Sequence, residues 1–489
     1  MISERKVIRM EHPKILIAGA ECTPFAKTGG LADVIGTLPA YLNALGADAR
    51  VILPFHSQIK EKLDEKARVV TEFQISVGWR NQYVGIRELV QNGVTYYFTD
   101  NDAYFGGPIY RGGEAEGEQY AYFSRAVLEA ATRIGFFPDI IHCNDWHTAV
   151  IPMLIKTQYQ DSPQGNIKTL LTIHNMMYQG QYRPDFVKDV LGVSDWLLAP
   201  EYMGKDGAGN FMKAGLSFAD KINTVSPSYA AELREPYYAY GLEGILNYRA
   251  DDLTGIVNGI DNDEYDPLHD GLIDFPFDAR STAGKTKNKE ALLGRLGLLN
   301  RKKLQLISMV TRLTPQKGID LVLRVIHEIM QENVAFILLG TGDADYENCF
   351  RELEEQYKGR LCAYIGYNNA LSHQIYAGSD LFLMPSKFEP CGISQMIAQR
   401  YGTLPIVRET GGLRDTVVPY NEVTGDGDGF SFTNYNAHDM LHVIRYALHT
   451  IADGRTKRRL MAHAMRKDHS FSRSAEAYLA LYHEITDRQ

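Results

Sequence analysis

Long apolar runs, paired cysteines, an excess of positive charge and short internal repeats are all missing from this chain. Its five cysteines (Cys22, Cys143, Cys349, Cys362 and Cys391) form no CxxC pair and no evenly spaced framework. That excludes a disulfide scaffold and reads as reduced thiols in a cytoplasmic protein. No stretch approaches the roughly 20 apolar residues that span a bilayer. The opening MISERKVIRMEHPKILIAGAE carries no signal-peptide pattern, because the apolar run Ile15–Ala20 is short and reaches Glu21 at once. Lys and Arg number 51 against 60 Asp and Glu, a net charge of −9. General nucleic-acid binding and an anionic membrane surface both want a basic face, so neither is expected. A local basic pocket for a small anion stays compatible with that total. No repeat of roughly 20–50 residues marks a solenoid.

What is present is a globular composition, 45% apolar and 23% charged, over 489 residues. That length exceeds one ordinary core, so two domains are expected and three allowed. Short apolar runs alternate with helical patterns. Lys14–Ala20 reads as a buried strand, followed by a Gly-containing loop and a helix over Leu31–Leu45. Ala49–Pro54, Ile140–His142, Thr169–His174 and Lys221–Val225 continue the series. The pattern restarts after Thr254–Val257, with Leu304–Val310 as a new first strand. A helix follows whose Ile319, Val322, Leu323, Ile326, Ile329 and Met330 keep one-face spacing. Val334–Leu339, Cys362–Ile365, Asp380–Met384 and Leu404–Val407 complete it. The expected fold class is α/β: two doubly wound, Rossmann-like units with parallel sheets, facing across a cleft and meeting near residues 258–300. In such sheets ligands sit beyond the carboxyl ends of the strands, so the loops there are where chemistry is sought.

Four of those loops carry chemistry-bearing residues. Lys27-Thr-Gly-Gly-Leu-Ala-Asp33 joins the first strand to the first helix. Gly29 and Gly30 let a ligand approach the backbone, and the helix start offers free N–H groups. A plain Gly-rich turn with a surface lysine has the same appearance. Arg312-Leu-Thr-Pro-Gln-Lys317-Gly318 occupies the equivalent place in the second unit. Two cations beside a helix N-terminus, which ordinarily prefers acidic side chains, suggest that an anion arrives there; two solvated surface cations are the plainer alternative. Pro385-Ser-Lys-Phe-Glu389-Pro-Cys391-Gly392-Ile-Ser-Gln395 sets a carboxylate beside backbone N–H groups, as polyhydroxylated ligands require, although Glu in a first turn is also common. Thr410-Gly411-Gly-Leu413 is a further turn that can approach the same ligand. His142-Cys-Asn-Asp-Trp-His147 follows a strand. Its spacing fits no common zinc pattern, so a hydrogen-bonding His for substrate and a buried structural His–Asp pair are the readings left open. Tyrosines are dense over Tyr96–Phe123 and Tyr237–Tyr248. Their flat faces and polar tips suit sugar rings, but core-edge packing accounts for most such residues.

Together these segments resemble the bacterial glycogen synthase and plant starch synthase family (glycosyltransferase family 5, GT-B fold). The resemblance runs from about Lys14 to Tyr482. It includes AKTGGLADVIGTLP, HCNDWHTAVIP, TIHNMMYQGQY, FMKAGLSFADKINTVSPSYAAEL, VNGID, TRLTPQKGIDLV, GTGDADYE, IGYNNALSHQIYAGSDLFLMPSKFEPCGISQM and RYGTLPIVRETGGLRDTV.

The resemblance implies transfer of glucose from ADP-glucose to the nonreducing end of an α-1,4-glucan (glycogen or a maltooligosaccharide), with anomeric configuration retained. No cofactor and no metal are implied, nor a nucleic-acid or membrane partner. By matching motif, Lys27, Gly30 and Asp33 would lie by the donor, Arg312 and Lys317 on its diphosphate, and Glu389 with the Cys391 and Gly392 backbone on the glucose. Thr410 and Gly411 would approach the same donor. His147 and Asn258 would contact the glucose from the N-terminal half, and Tyr367 would stand near the base. The family's residue after that Tyr is often His or acidic and here is Asn368. Many related transferases carry a second Glu eight residues after the first; here Ile397 stands there, as in the glycogen and starch synthase branch. The resemblance also implies domains over 12–262 and 263–472, with a helix in 473–489 packing back on the first. Nothing in the residues themselves selects adenine over uracil or fixes an oligomeric state. A related transferase with another donor or acceptor, and a noncatalytic glucan-binding protein of the same fold, are the rivals. The second has no use for Lys27, Arg312, Lys317 and Glu389 together.

Overall fold

A computed structural model describes residues 12–487. The residues on which a leader sequence would be judged fall largely outside it. Contacts divide the chain into two compact units, one of residues 1–258 with 471–489 and one of residues 259–470. The dividing points lie a few residues before the expected 262 and 472.

The first unit is built on a sheet of nine strands among the described residues. Its spatial order is Leu253–Gly255, Lys221–Thr224, Lys168–Ile173, Ile140–Asn144, Lys14–Ala18, Asp48–Pro54, Val94–Asp100, Arg80–Gln91, Arg68–Val77. The first seven run parallel, and the last two pair antiparallel. The wholly parallel sheet expected for this unit is therefore corrected to a mixed one. The reason is local. Asn92 and Gly93 both take positive φ, 51° and 76°, as a tight hairpin turn requires, and Gly78 turns the chain again at φ 59°. The helix Gly30–Ala44 buries Leu31, Val34, Ile35, Leu38 and Leu42 on one face of the sheet. The helix Phe471–Asp487 joins that same layer through Phe471, Ala475, Tyr478, Leu481, Tyr482 and Ile485. Its phenols also reach buried polar groups: Tyr482 Oη lies 2.8 Å from His142 Nδ1, and Asn223 Nδ2 donates to Tyr478 Oη at 3.2 Å.

The second unit has a parallel sheet ordered Leu361–Ile365, Val334–Gly340, Gln305–Val310, Leu381–Met384, Leu404–Arg408, Phe430–Phe432. The helix Ile319–Ile329 packs Ile319, Val322, Ile326 and Ile329 inward as its spacing predicts, with Val325 in the core and Leu323 only at its margin.

Both sheets reverse their winding direction once at an interior strand pair. In the first unit that point lies between Lys14–Ala18 and Ile140–Asn144; in the second, between Gln305–Val310 and Leu381–Met384. The crevice at such a point is where open α/β sheets take ligands. The loops that follow these four strands are the ones that carry Lys27, His147, Arg312 with Lys317, and Glu389.

Candidate active site

In the first unit the loop after strand Lys14–Ala18 is held from beneath by a buried carboxylate. Glu21 accepts from Thr28 N at 2.5 Å and Thr28 Oγ1 at 2.7 Å, and from the Gly29 amide. Burial raises its pKa, while those donors act the other way. Gly29 caps the helix and Gly30 opens it. Lys27 Nζ pairs with Asp33 Oδ1 at 2.7 Å, half-exposed. Burial also raises the Asp33 pKa, opposed by Lys27.

The neighbouring loop is tighter. Asp145 sits at φ 54° and accepts from the backbone N–H groups of His174 and Asn175 at 2.7 and 3.3 Å. Burial lifts its pKa to about 7. The His174 imidazole lies 2.9 Å from Asn144 Oδ1, and burial lowers its pKa to about 3. His147 is boxed by the rings of Trp146, Tyr120 and Tyr110, at centroid distances of 4.3, 4.5 and 5.2 Å. It too is held neutral, its pKa lowered to about 3 by burial and by the neighbouring His174 and His56. Its Nδ1 is buried without a hydrogen-bond partner, as is Asn258 Oδ1. Both atoms belong to residues expected to meet the sugar, and they are two of several such atoms in this unit, His56 Nδ1, Gln119 Oε1 and Arg125 Nε among them.

The motif HCNDWH thus divides its labour. His142 is wholly structural, wedged between Tyr482 Oη and Thr172 Oγ1, while His147 faces the aromatic box. The sequence reading weighs Asp145 only as half of a buried His–Asp pair; its seat on the His174–Asn175 backbone and the contact of His174 with Asn144 are what that reading leaves out. The signal for them was present, since TIH ends a buried strand next to the one ending in HCN.

In the second unit three loops are bound to one another by backbone contacts. Lys387 N donates to Gln316 O at 2.8 Å, and Gly412 N to Glu389 O at 3.1 Å. A Cβ on Gly318 would stand 2.1 Å from Pro385 O, and one on Gly411 2.1 Å from Glu389 O. Gly318 and Gly411 also have positive φ, 70° and 44°, so each position is closed to a side chain twice over. Gln395 Nε2 ties the turn down by donating to Cys391 O, Gly392 O and Thr416 Oγ1 at 3.1, 3.0 and 2.9 Å. Thr410 is buried and caps the helix Gly411–Thr416.

Within this assembly Lys317 Nζ lies 2.5 Å from Glu389 Oε2, both side chains largely buried, and Ser386 Oγ donates to the same oxygen at 3.0 Å. The picture of two cations awaiting an anion is therefore corrected for one of them. Lys317 already has an anionic partner, 72 residues on in sequence. Arg312 is exposed, with no ion pair among the described residues. Tyr367 is 80% exposed. Asn368 has a structural task, its side chain accepting from Leu371 N as the cap of helix Asn369–Gly378. No cluster of three or more metal-ligating side chains occurs among the described residues, and no described helix is long and apolar enough to cross a membrane.

Residues 14–248 match the family model of the starch synthase catalytic domain, and residues 297–467 that of glycosyl transferases group 1. The glycogen synthase of Geobacillus thermodenitrificans is 47% identical over 477 residues, covering 97% of this chain and 98% of that one. The chain belongs to the glycogen and starch synthase family. A glycogen synthase of Bacillus cereus is likewise 47% identical over 474 residues, covering 97% of this chain and all of its own. The catalytic domain of starch synthase IV from Arabidopsis thaliana, solved with ADP and acarbose, superposes with a TM-score of 0.88 at 32% identity, covering 98% of this chain and 100% of that one. A sucrose-phosphate synthase from Thermosynechococcus elongatus shares the fold at a TM-score of 0.62 and 17% identity. The two Rossmann-like units are those of a GT-B glycosyltransferase, and the chain is a glycogen (starch) synthase of that class.

Proposed function

We propose that this synthase transfers glucose from ADP-glucose to the nonreducing end of an α-1,4-glucan with retention of configuration, releasing ADP. The observation that carries the reading is the Lys317–Glu389 pair at the winding reversal of the second sheet. There a cation for phosphate and a carboxylate for sugar hydroxyls are held side by side by three interlocked loops.

Breaking the bond between glucose C1 and the phosphate oxygen leaves the electron pair on the diphosphate and positive charge on the sugar. Lys317, fixed against Glu389 before the substrate arrives, and Arg312 stabilise the first of these, and Lys27 adds charge from the loop of the first unit. Glu389 and the Cys391–Gly392 backbone hold the glucose hydroxyls; His147 and Asn258 offer their unsatisfied atoms to the same sugar. Asp33 and Tyr367 serve the nucleoside, and Gly30, Thr410 and Gly411 let backbone approach the donor. The incoming glucan hydroxyl gives its proton to the departing phosphate oxygen as its own oxygen bonds to C1. Glu389 positions in this scheme and does not attack. The charge is met by side chains, so the reading assigns no step to a metal or cofactor.

The deciding assay incubates the protein with glycogen and ADP-glucose or UDP-glucose and follows nucleotide release with chain elongation, with and without chelator. Release of ADP with α-1,4 extension, insensitive to chelator, is expected. Absence of release with either donor would sink the reading, and a covalent adduct on Glu389 or any other side chain would overturn the mechanism.

A further inference from the structure

The helix Ser394–Arg400 follows directly on the turn that carries Glu389, Cys391 and Gly392. It sets two glutamines one helical turn apart, Gln395 and Gln399, and both are wholly buried. A buried amide is costly unless its polar atoms are met, so its partners say what it is there to hold. Gln395 holds the turn itself, through Cys391 O, Gly392 O and Thr416 Oγ1. Gln399 holds elements further along the chain. Its Nε2 donates to Thr416 O at 3.2 Å and to Asp428 Oδ1 at 2.8 Å. The first of these is a carbonyl and the second belongs to a carboxylate paired with Lys467 at 2.6 Å, so both only accept. That fixes the orientation of the amide and leaves Gln399 Oε1 facing His469 Nε2 at 2.7 Å. Burial, with Lys467 nearby, lowers the His469 pKa to about 3. The neutral ring has one N–H to give, and it goes to Gln399.

Thr416 is the member common to both glutamines. Its hydroxyl accepts from Gln395 and donates to Gly412 O at 2.5 Å; its carbonyl accepts from Gln399 and, at 2.7 Å, from Lys467 Nζ. Gly412 N in turn donates to Glu389 O and Pro390 O, each at 3.1 Å. At the far end of this series, His469 O accepts from Ile260 N at 2.7 Å, and Ile260 bridges to Ser470. The second unit begins at residue 259 and ends at residue 470. Its two ends are thus fastened to each other at the residue whose ring holds Gln399.

We propose that Gln399 and His469 are positioning residues for the sugar-holding turn. They fasten it to the paired ends of the second unit, so that Glu389 and the Cys391–Gly392 backbone are in register for glucose only while those ends keep their pairing. This rests on the reading of that turn as the holder of the donor's glucose. Filling space alone would be served by Leu and Phe at these positions, which occupy similar volume and bring no polar atoms to satisfy. What the polar pair adds is direction, since hydrogen bonds fix how the helix Ser394–Arg400 is rotated and set, and packing contacts do so far less. The effect falls on the sugar and not on the diphosphate. Neither glutamine bonds to the loop Arg312–Gly318.

The test binds ADP and ADP-glucose separately to the unaltered protein, Gln399→Leu, His469→Phe and the double variant by titration calorimetry, and follows kcat in the glycogen assay. ADP lacks the sugar, so the ratio of the two dissociation constants isolates the hold on glucose. In each single variant that ratio is expected to move against ADP-glucose about tenfold and kcat to fall by a similar factor, with ADP bound within about twofold of the unaltered protein. The double variant is expected to match the singles, because both changes break the same link. His469→Gln, whose side-chain amide offers an N–H at similar reach, is expected to restore the ratio. Equal weakening of ADP and ADP-glucose would overturn the proposal, since a general loosening of the fold does that. So would losses that add in the double variant, or a ratio unchanged in both singles. Should Gln399→Leu not fold, His469→Phe and His469→Gln carry the same comparison. Failure of the donor reading has a separate sign, the absence of ADP-glucose binding to the unaltered protein.

Discussion

The two phosphate-type loops occupy equivalent places in their sheets and are built on different principles. In the first unit everything needed is local: Glu21 holds the Thr28 and Gly29 amides, and Lys27 pairs with Asp33 one turn into the same helix. In the second unit nothing is local. Lys317 pairs with Glu389 from another strand's loop, and a third loop closes on the Glu389 loop through Gly411 and Gly412. A locally built loop tolerates change one residue at a time. An assembled one transmits it, because each member is the packing surface of the next.

Substitutions should separate the two. The largest effect is expected from Lys317→Ala, which leaves Glu389 buried beside no cation. A loss of at least about 100-fold in kcat should accompany a stability loss of about 3 kcal/mol in urea unfolding. An unaltered stability would show that Glu389 has a second partner of equal strength. Next comes a matched glycine pair. Gly411→Ala drives a Cβ to 2.1 Å from Glu389 O at φ 44°, and a drop of more than about tenfold in kcat/KM is expected. Gly29→Ala meets only Glu21 Oε1 at 3.7 Å, at an extended φ of −155°, and should cost under about 1 kcal/mol of stability. Equal losses would erase the distinction between the two loops.

Lys27→Ala should be smaller still in stability, under about 0.5 kcal/mol for a half-exposed pair, while raising the donor KM about tenfold. Unfolding midpoints and donor titrations read the two separately.

A further effect is one of pH, read in the slope of stability rather than in activity. The His147 pKa falls from 6.5 to about 3 on folding, chiefly through burial. Between those values the unfolded chain binds the extra proton, so His147 makes stability fall as pH drops below 6.5. In His147→Asn that contribution disappears. From pH 6.5 to 5 the variant should lose about 1–2 kcal/mol less than the unaltered protein, with no difference in slope above pH 7. Asp145, its pKa raised to about 7 by burial, acts in the opposite sense between pH 4 and 7 and is common to both proteins.

Much of this arrangement is legible in sequence wherever spacing alone decides it. Apolar runs placed the strands that end at Ala18, Val310 and Met384 to within a residue or two, and Gly-Gly turns marked the helix starts at Gly30 and Gly411. The antiparallel strands Arg68–Val77 and Arg80–Gln91 are absent from the sequence reading, although Asn92-Gly93 announces the turn from the second of them into Val94–Asp100. Pairings were beyond reach. Nothing in TPQKG says that its lysine will meet a glutamate 72 residues later, since that partner is chosen by which strands become neighbours. The two histidines of HCNDWH have the same residue type and opposite duties for a like reason: one side chain points to the helix Phe471–Asp487 and the other into an aromatic box.

That helix bears on the order in which the protein can be made. Residues 259–470 are continuous, and the ribosome delivers them as a complete unit. The first unit is synthesised earlier and yet must wait, because Tyr478 and Tyr482 reach Asn223 and His142 only once everything between has been made. Until then its sheet exposes the surface that the helix will cover, together with two buried polar groups lacking their final partners. In a living cell the half begun first is the half finished last, and it is there that a nascent chain of this kind would need shielding.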